Sequence, residues 1–370
     1  MQVSGSIKVY GLAAMAAAML VAGCGNDNGG GGSGGGSGSS SSSGGGAMKA
    51  AVLLPDSKSS VRWETVDRPL LKKAFEDAGV DVTISNAEAD KSTQQQQAEQ
   101  AITNGAKVLL LVNLDSGSGA AIAANAKSQD VKVIDYDRLT LNGDSDYYVS
   151  FDNEAVGKLQ GQGLVDCLGN LNGQGVAELN GSPTDNNATL FKNGYDSVLD
   201  PLYKDGKLKK VADQSVPDWD NQKGLTIFEQ MLQKNNNKID GVLAANDGLG
   251  NAAISALKAR KLPQIPVTGQ DATLEGIQNI LNGDQCMTVY KAIKKEADAA
   301  AGLAISLLKG ETPSTSDKID NGTKEIPAIF EKPVAVTKDN IGEYIGEPDF
   351  PTKAQICAGD VAAKCKAAGL

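Results

Sequence analysis

Ten side chains stand where short apolar runs give way to polar turns: Arg62, Trp63, Asp137, Arg138, Asp185, Asn187, Trp219, Asn246, Asp271 and Lys291. Carboxylates accept hydrogen bonds, guanidinium and ammonium groups donate them, and carboxamides do both. Such a set can satisfy hydroxyls that point in several directions around a small ring. Trp63 and Trp219 are the only two tryptophans in the chain, and each sits in a polar stretch rather than an apolar run. An indole face packs well on the C–H face of a pyranose, so the two read as a ring clamp. Taken singly, each position has a plainer reading as a loop residue, and Asp185 or Asn186 could simply cap the helix that follows. The joint pattern is what points to binding of a sugar.

Composition removes several alternatives. The 370-residue chain contains no histidine, which excludes Ser-His-Asp and Cys-His catalysis and imidazole metal sites. A formal net charge of -10 argues against nucleic acid or an anionic membrane surface as partner. No cofactor or metal is expected, since metal-ligand spacing is absent. Two enzyme readings need no histidine. Gly248-Leu249-Gly250-Asn251-Ala252-Ala253, with Asp271 beyond it, resembles a dinucleotide fingerprint, but Asn246-Asp247 displaces the first glycine from its strand. Asp137 and Asp271 could serve as the carboxylate pair of a glycosidase. The surrounding Arg and Lys would instead hold both acids ionised.

The N-terminus carries its own signal. Lys8, the apolar run Val9–Ala22 and small residues before Cys24 form a lipoprotein export signal over 1–23, too short to span a bilayer. Residues 24–47 supply the lipidated Cys24 and a Gly/Ser tether, which reaches on the order of 25 Å as a flexible chain. The working part thus begins near Met48, outside the cytoplasm and anchored to a membrane through lipid alone. Export permits disulfides, and Cys167, Cys286, Cys357 and Cys365 allow three pairings. Cys357 with Cys365 is favoured, provided that Gly359-Asp360 turns the chain.

These residues need a frame, and the pattern supplies one. Apolar runs at 49–54, 80–84, 107–112, 131–135 and 147–151 read as strands. Between them lie helical stretches at 69–78, at 92–103 with a Ser92/Gln95 capping box, and at 119–128. Gln94–Gln97 reads as a solvated face of the second. A second series has strands at 175–179, 209–213, 241–245, 265–268 and 286–290, with helices at 153–168, 186–199, 221–233, 251–259 and 273–281. Alternation of this kind implies α/β architecture, here two doubly wound lobes with parallel sheets. Ligands of such sheets bind beyond the carboxyl ends of the strands, where the ten residues fall.

Several blocks resemble periplasmic monosaccharide-binding proteins of ABC importers, the group containing ribose- and xylose-binding members, and most of all the xylose-binding ones. They are Tyr136-Asp137-Arg138, Tyr148 through Glu154, Gly181-Ser182-Pro183 through Ala188, Asn235 through Asp240, Asn246-Asp247, Gly269 through Ala272, and Met287 through Lys291. The resemblance covers roughly Met48 to Asn340. It implies the periplasmic binding protein type I fold, with an N-terminal lobe of 48–150 plus 291–331 and a C-terminal lobe of 151–290 plus 332–370. Three hinge segments near Ser150-Phe151, Tyr290-Lys291 and Phe330–Val334 would join them, and helix 292–308 would return to the first lobe. It further implies that a monosaccharide, D-xylose, is captured by hinge closure and delivered by a monomer to a membrane permease, without catalysis. The implied contacts are Arg62, Asp137, Arg138, Asp185, Asn187, Trp219, Asn246, Asp271 and Lys291, and strand-end reasoning adds Trp63. Two departures stand out: the loop Pro55–Trp63, and Pro217-Asp218-Trp219, where the family has glycine before tryptophan. A sensor that presents sugar to a receptor would look the same.

Overall fold

The computed structural model describes residues 48–370, so the export signal, Cys24 and the tether lie outside the described residues. The first series contains β1 (Lys49–Leu54), α1 (Arg68–Asp77), β2 (Asp81–Asn86), α2 (Lys91–Thr103), β3 (Val108–Leu111), α3 (Ser116–Ser128), β4 (Lys132–Tyr136) and β5 (Tyr147–Phe151). The second runs through α4 (Asn153–Leu168), β6 (Gln174–Asn180), α5 (Asn186–Lys204), β7 (Leu208–Ser215), α6 (Asn221–Lys234), β8 (Gly241–Ala244), α7 (Asp247–Ala259), α8 (Leu274–Asn282) and β9 (Met287–Tyr290). Then come α9 (Ile293–Leu308), β10 (Asp317–Asp320), β11 (Glu325–Glu331) and β12 (Val334–Thr337).

Strands β2-β1-β3-β4-β5 pair in parallel, β11 joins the free side of β5 in parallel, and β10 closes that edge antiparallel. Successive side chains of a strand face opposite ways, and both faces here are buried. Ala50, Val52, Leu54, Val108 and Leu110 meet Leu71 and Phe75 of α1 and Ala297, Ala300 and Ala304 of α9. Ala51, Leu53, Leu109 and Leu111 meet Ala98 and Ile102 of α2 and Ile122 and Ala126 of α3. The sheet is therefore wound on both faces, and α9 belongs to it although it follows the second series.

In the second lobe β6 lies between β7 and β8, all parallel, around a core of Leu164, Phe191, Tyr195, Phe228, Met231 and Leu249. The strand expected at 265–268 is reduced to one bridge, Val242 with Val267. Pro266 has no N–H to give the ladder. The segment still links β8 to β9, through Thr268 N–H to Val242 O at 3.0 Å and Cys286 N–H to Val267 O at 2.9 Å. β9 pairs antiparallel with β12, so the chain leaves the first sheet after β5, returns after β9 and crosses again between β11 and β12.

Helix starts explain why polar residues crowd the strand ends. Side chains of Asp90, Asp115, Asp152, Asp185, Asp220, Asn246 and Thr273 each accept from a backbone N–H in the first turn of the helix behind them. The start of α2 is thus capped by Asp90 rather than by the expected Ser92 box. The extended backbone at Asp90 lets its carboxylate reach Thr93 N–H at 2.6 Å. Nor is Gln94 solvated: it is buried, and its Nε2 donates to Val112 O at 2.8 Å. Disulfides join Cys167 to Cys286 and Cys357 to Cys365, with Gly359 in the left-handed region between the latter pair.

Two fully buried carboxyls give the fold a pH dependence. Asp135 in β4 is pushed up to about 7 by burial, against donors from Thr140 and Ser145. Burial likewise pushes Asp247 up to about 7, against Gln285, Thr288 and Thr273. Unfolded aspartate titrates near 4. The folded chain then binds more protons at these two groups than the unfolded one between those values, so their contribution to stability is full below about pH 4 and is lost as pH rises through about 7. Urea midpoints are expected to be higher at pH 5 than at pH 8; a midpoint that does not fall over this interval would count against raised pKa values for the two groups.

Candidate binding site

All ten residues picked out above line one small cavity, about 30 Å³ in volume, beyond the carboxyl ends of both sheets. Ser59, Ser60, Phe191 and Gln270 complete its wall. Of the polar residues among the ten all but the half-buried Asp271 are buried, as are both indoles, so their donors and acceptors need partners from protein, ligand or ordered water.

Arg62 sits at the head of a single π-helical turn, Trp63–Asp67, that runs into α1. Its Nε and Nη2 donate to the two carboxylate oxygens of Asp67 at 2.9 and 2.8 Å, Nη2 also to Glu296 Oε2 at 2.9 Å, and Nη1 to Asp137 Oδ2 at 2.9 Å. The guanidinium lies over the Trp63 ring at 4.4 Å, with Arg138 on the same ring at 5.6 Å. Burial alone would lower the Arg62 pKa, but Asp67, Asp137 and Glu296 together raise it well above the ordinary value. Asp137 shows the mirror effect. Burial raises its pKa, but Arg62, Lys291 and Arg138 outweigh it and hold the carboxyl below the usual range.

Contacts between the lobes converge on the same residues. Asn187 Nδ2, at the first turn of α5, donates to the Asp137 carbonyl at 2.9 Å and to its Oδ1 at 3.2 Å. Arg138 Nε pairs with Asp185 Oδ2 at 3.1 Å, and the same oxygen accepts from Trp219 Nε1 at 3.0 Å. Lys291, at the crossing after β9, stands 3.3 Å from Asp271 Oδ1 and 3.8 Å from Asp137 Oδ2. Ser60 Oγ reaches Asp271 Oδ2 at 3.2 Å, and Asn246 Nδ2 reaches Ser59 O at 3.4 Å. Asp185 and Asn246 do cap helices, as the plainer reading expects, and they line the cavity as well.

Backbone strain concentrates here. Asp137, Trp219 and Asp271 have φ of 63°, 54° and 94°, and their neighbours Asp218 and Ala272 are also left-handed at 60° and 48°. Each such non-glycine residue costs on the order of 1 kcal/mol or more and persists only where the surroundings over-determine it. The GlyxGly segment does not form a cofactor cradle. A Cβ at Gly248 would meet the Asn221 side chain at 2.5 Å, and one at Gly250 the Thr268 carbonyl at 3.1 Å, so both glycines serve close packing.

Sequence reasoning passed over Asp67 and Glu296, which hold Arg62 from behind the cavity. Their signal was a charge on an apolar stripe: Glu296 falls between Ile293 and Ala300 on the buried face of α9.

Two parallel-sheet lobes that meet over a polar cleft define a type I periplasmic binding protein, and the chain belongs to that family. Residues 51–312 match the family described as periplasmic binding protein domain. The chain is 41% identical over 296 residues to the D-xylose-binding periplasmic protein of Haemophilus influenzae, a match covering 80% of this chain and 88% of the relative. It is 38% identical, with the same coverage, to the D-xylose-binding periplasmic protein of Escherichia coli. A solved ABC transporter solute-binding protein from Clostridium phytofermentans, with bound β-D-glucose, aligns with a TM-score of 0.78 at 29% identity, over 84% of this chain and 100% of its own.

Two substitutions separate shape from strain. A Cβ on Gly181 would lie 2.1 Å from Cη2 of Trp219, so Gly181→Ala displaces the indole. Loss of the buried Trp219 fluorescence signature is expected; an unchanged spectrum would mean that the wall yields elsewhere. Asp218 is left-handed and its side chain largely exposed, so Asp218→Gly is expected to raise unfolding free energy by about 1 kcal/mol in urea melts. An unaltered or lower value would show no strain at that position.

Proposed function

We propose that this protein captures a monosaccharide, D-xylose, between its lobes by hinge closure and delivers it to the permease of an ABC importer. The observation that carries the reading is the convergence of two indoles with Arg62, Asp137, Arg138, Asp185, Asn187, Asn246, Asp271 and Lys291 around one small cavity. A sugar supplies hydroxyls to such groups and an apolar face to the rings. The relatives in Haemophilus influenzae and Escherichia coli, both named for D-xylose, support the choice of pentose. Residues 48–150 with 291–331 and 151–290 with 332–370 are the bodies that move. Polar groups from both are satisfied together only when the cleft is shut, so ligand favours the closed form by its differential affinity for it.

On this reading Cys24 is lipidated and the Gly/Ser tether keeps a monomer near the membrane face where the permease sits. The same capture could feed a receptor, and the outer faces of the lobes would carry either contact. Turnover is not part of the proposal. Arg62 and Lys291 bear on Asp137, and Lys291 on Asp271, an arrangement that favours two anions over the protonated acid a glycosidase needs.

Calorimetric titration with D-xylose, D-glucose, D-ribose and L-arabinose tests the proposal. Micromolar binding of xylose, about -8 kcal/mol, with weaker binding of the others is the expected result. Preference for glucose, the sugar bound in the Clostridium phytofermentans relative, would keep capture and move its specificity. No heat with any of the four, or hydrolysis of xylosides, would defeat it. Trp219→Ala is expected to weaken binding about tenfold, near 1.4 kcal/mol. Arg138→Ala and Asp271→Ala should cost more, since each leaves a buried partner unpaired. Undiminished affinity in all three would place the site elsewhere.

A further inference from the structure

Resting on the sugar-binding reading, we propose that Glu296 carries the proton of the buried carboxylate cluster around Arg62 and thereby leaves Asp137 anionic to accept sugar hydroxyls. Glu296 does not line the cavity, so its role is that of a positioning residue acting through Arg62 and Asp137.

The argument begins with donor supply. A guanidinium has five N–H groups. Arg62 gives Nε and one Nη2 hydrogen to Asp67, the other Nη2 hydrogen to Glu296 and one Nη1 hydrogen to Asp137. One Nη1 hydrogen is left for the cavity. Three carboxyls thus divide four hydrogens, and unequally. Asp67 takes two and also accepts from Tyr136 Oη at 2.7 Å. Asp137 takes one, accepts from Asn187 Nδ2 and has Lys291 nearby. Glu296 takes one, and its Oε1 is buried with no hydrogen-bond partner.

Charge balance points the same way. Around the cleft stand three cations, Arg62, Arg138 and Lys291, against Asp67, Asp137, Asp185 and Asp271. An ionised Glu296 would add a fifth anion to the cluster at a fully buried position, and an unpaired buried charge costs far more than an unpartnered hydroxyl. When carboxyls crowd one site, the proton settles on the one with the fewest donors. The groups that bear on Glu296 are Arg62 and Asp67 from the π turn, Asp137 and Tyr136 at the end of β4, Tyr148 from β5 and Lys291 ahead of α9. Burial first, then Asp137, drives the Glu296 pKa well above the ordinary value, while the Asp137 pKa is lowered. Protonation at Oε1 leaves Oε2 free to accept from Arg62. Glutamine reproduces that neutral form: its amide oxygen replaces Oε2 and its NH2 replaces Oε1.

The test compares the full protein with Glu296→Gln by infrared difference spectroscopy at a pH of about 8.5, above the ordinary carboxyl range. Wild type is expected to show a protonated-carboxyl carbonyl band, shifted in D2O, that the variant lacks. The sugar Kd of the variant is expected to change by less than about fivefold, near 1 kcal/mol. A band retained in Glu296→Gln, or a larger loss of affinity in a variant folded by circular dichroism, would overturn the proposal, the latter because it would show that the negative charge is needed. Should Glu296→Gln fail to fold, side-chain 13C-glutamate labelling of wild type decides: a shifted band supports the assignment and an unshifted one overturns it. If neither protein binds any of the four sugars, the sugar-binding reading falls, and the proposal that Asp137 is kept anionic for a sugar falls with it. The band would then still locate the proton.

Discussion

Burial of a guanidinium among carboxylates is the constraint from which the rest of the site follows. Arg62 is enclosed and shared by Asp67, Asp137 and Glu296, and it lies on the Trp63 ring. Buried ion clusters are weak sources of stability, because desolvation consumes most of the Coulombic gain. Their use here is geometric: each partner leaves Arg62 fewer ways to turn. Asp67 is fixed by the π turn, Glu296 by α9 and Asp137 by a left-handed backbone that Tyr148, Ser150 and Asn187 hold through its carbonyl. An acceptor held by four elements keeps its place without ligand contact, which is what preorganisation requires.

The same logic explains which parts of the protein were legible in the sequence. Parallel sheets put polar residues at the carboxyl ends of strands, so Asp137, Arg138, Asp185, Asn246 and Lys291 could be read from the ends of apolar runs. Asp67 and Glu296 were passed over because they lie within helical segments rather than at strand ends, and Glu296 is far in sequence from its partner Arg62. Strands β10 and β11 also escaped. β10 is largely exposed on the sheet edge, and Pro327 interrupts the apolar run of β11. That proline is tolerated where it is because the pairing of β11 with β5 starts at Ala328, leaving Pro327 beside the edge strand alone. The missing strand at 265–268 is the converse case, an apolar run whose Pro266 removes a ladder donor. Helix caps were misread for a local reason. Ser92 and Gln95 fit the capping pattern, but Asp90 two residues earlier is the stronger acceptor and takes the first free N–H groups.

Residues after 340 lie beyond the reach of the family resemblance and yet bear on the crossing after β9. Tyr290 donates to Asp349 Oδ1 at 2.6 Å, and Lys294 N–H to Asp349 Oδ2 at 2.9 Å. Tyr344 and Phe350 pack on the Tyr290 ring at 5.4 and 5.3 Å. The Cys357–Cys365 disulfide closes the small cluster that holds Phe350, Ile356 and Val361 against α8 and β9. One carboxylate thus grips the chain on both sides of Lys291, the residue that touches Asp137 of one lobe and Asp271 of the other.

That position gives Lys291 a part no other cation in the cleft has. Arg62 and Arg138 are carried by the first lobe, and any relative movement of the lobes changes their distance to Asp271 or Asp185. Lys291 belongs to a crossing between the lobes and reaches one carboxylate of each. It stands between Asp137 and Asp271, whereas Arg138 with Asp185 and Ser60 with Asp271 join the lobes directly. The cleft therefore carries a cation at the crossing and a separate set of direct bonds between the lobes. Under the proposed hinge closure, ligand hydroxyls would weigh on the lobes through those direct bonds, while the tail that holds Tyr290 and Lys294 through Asp349 fixes the crossing itself.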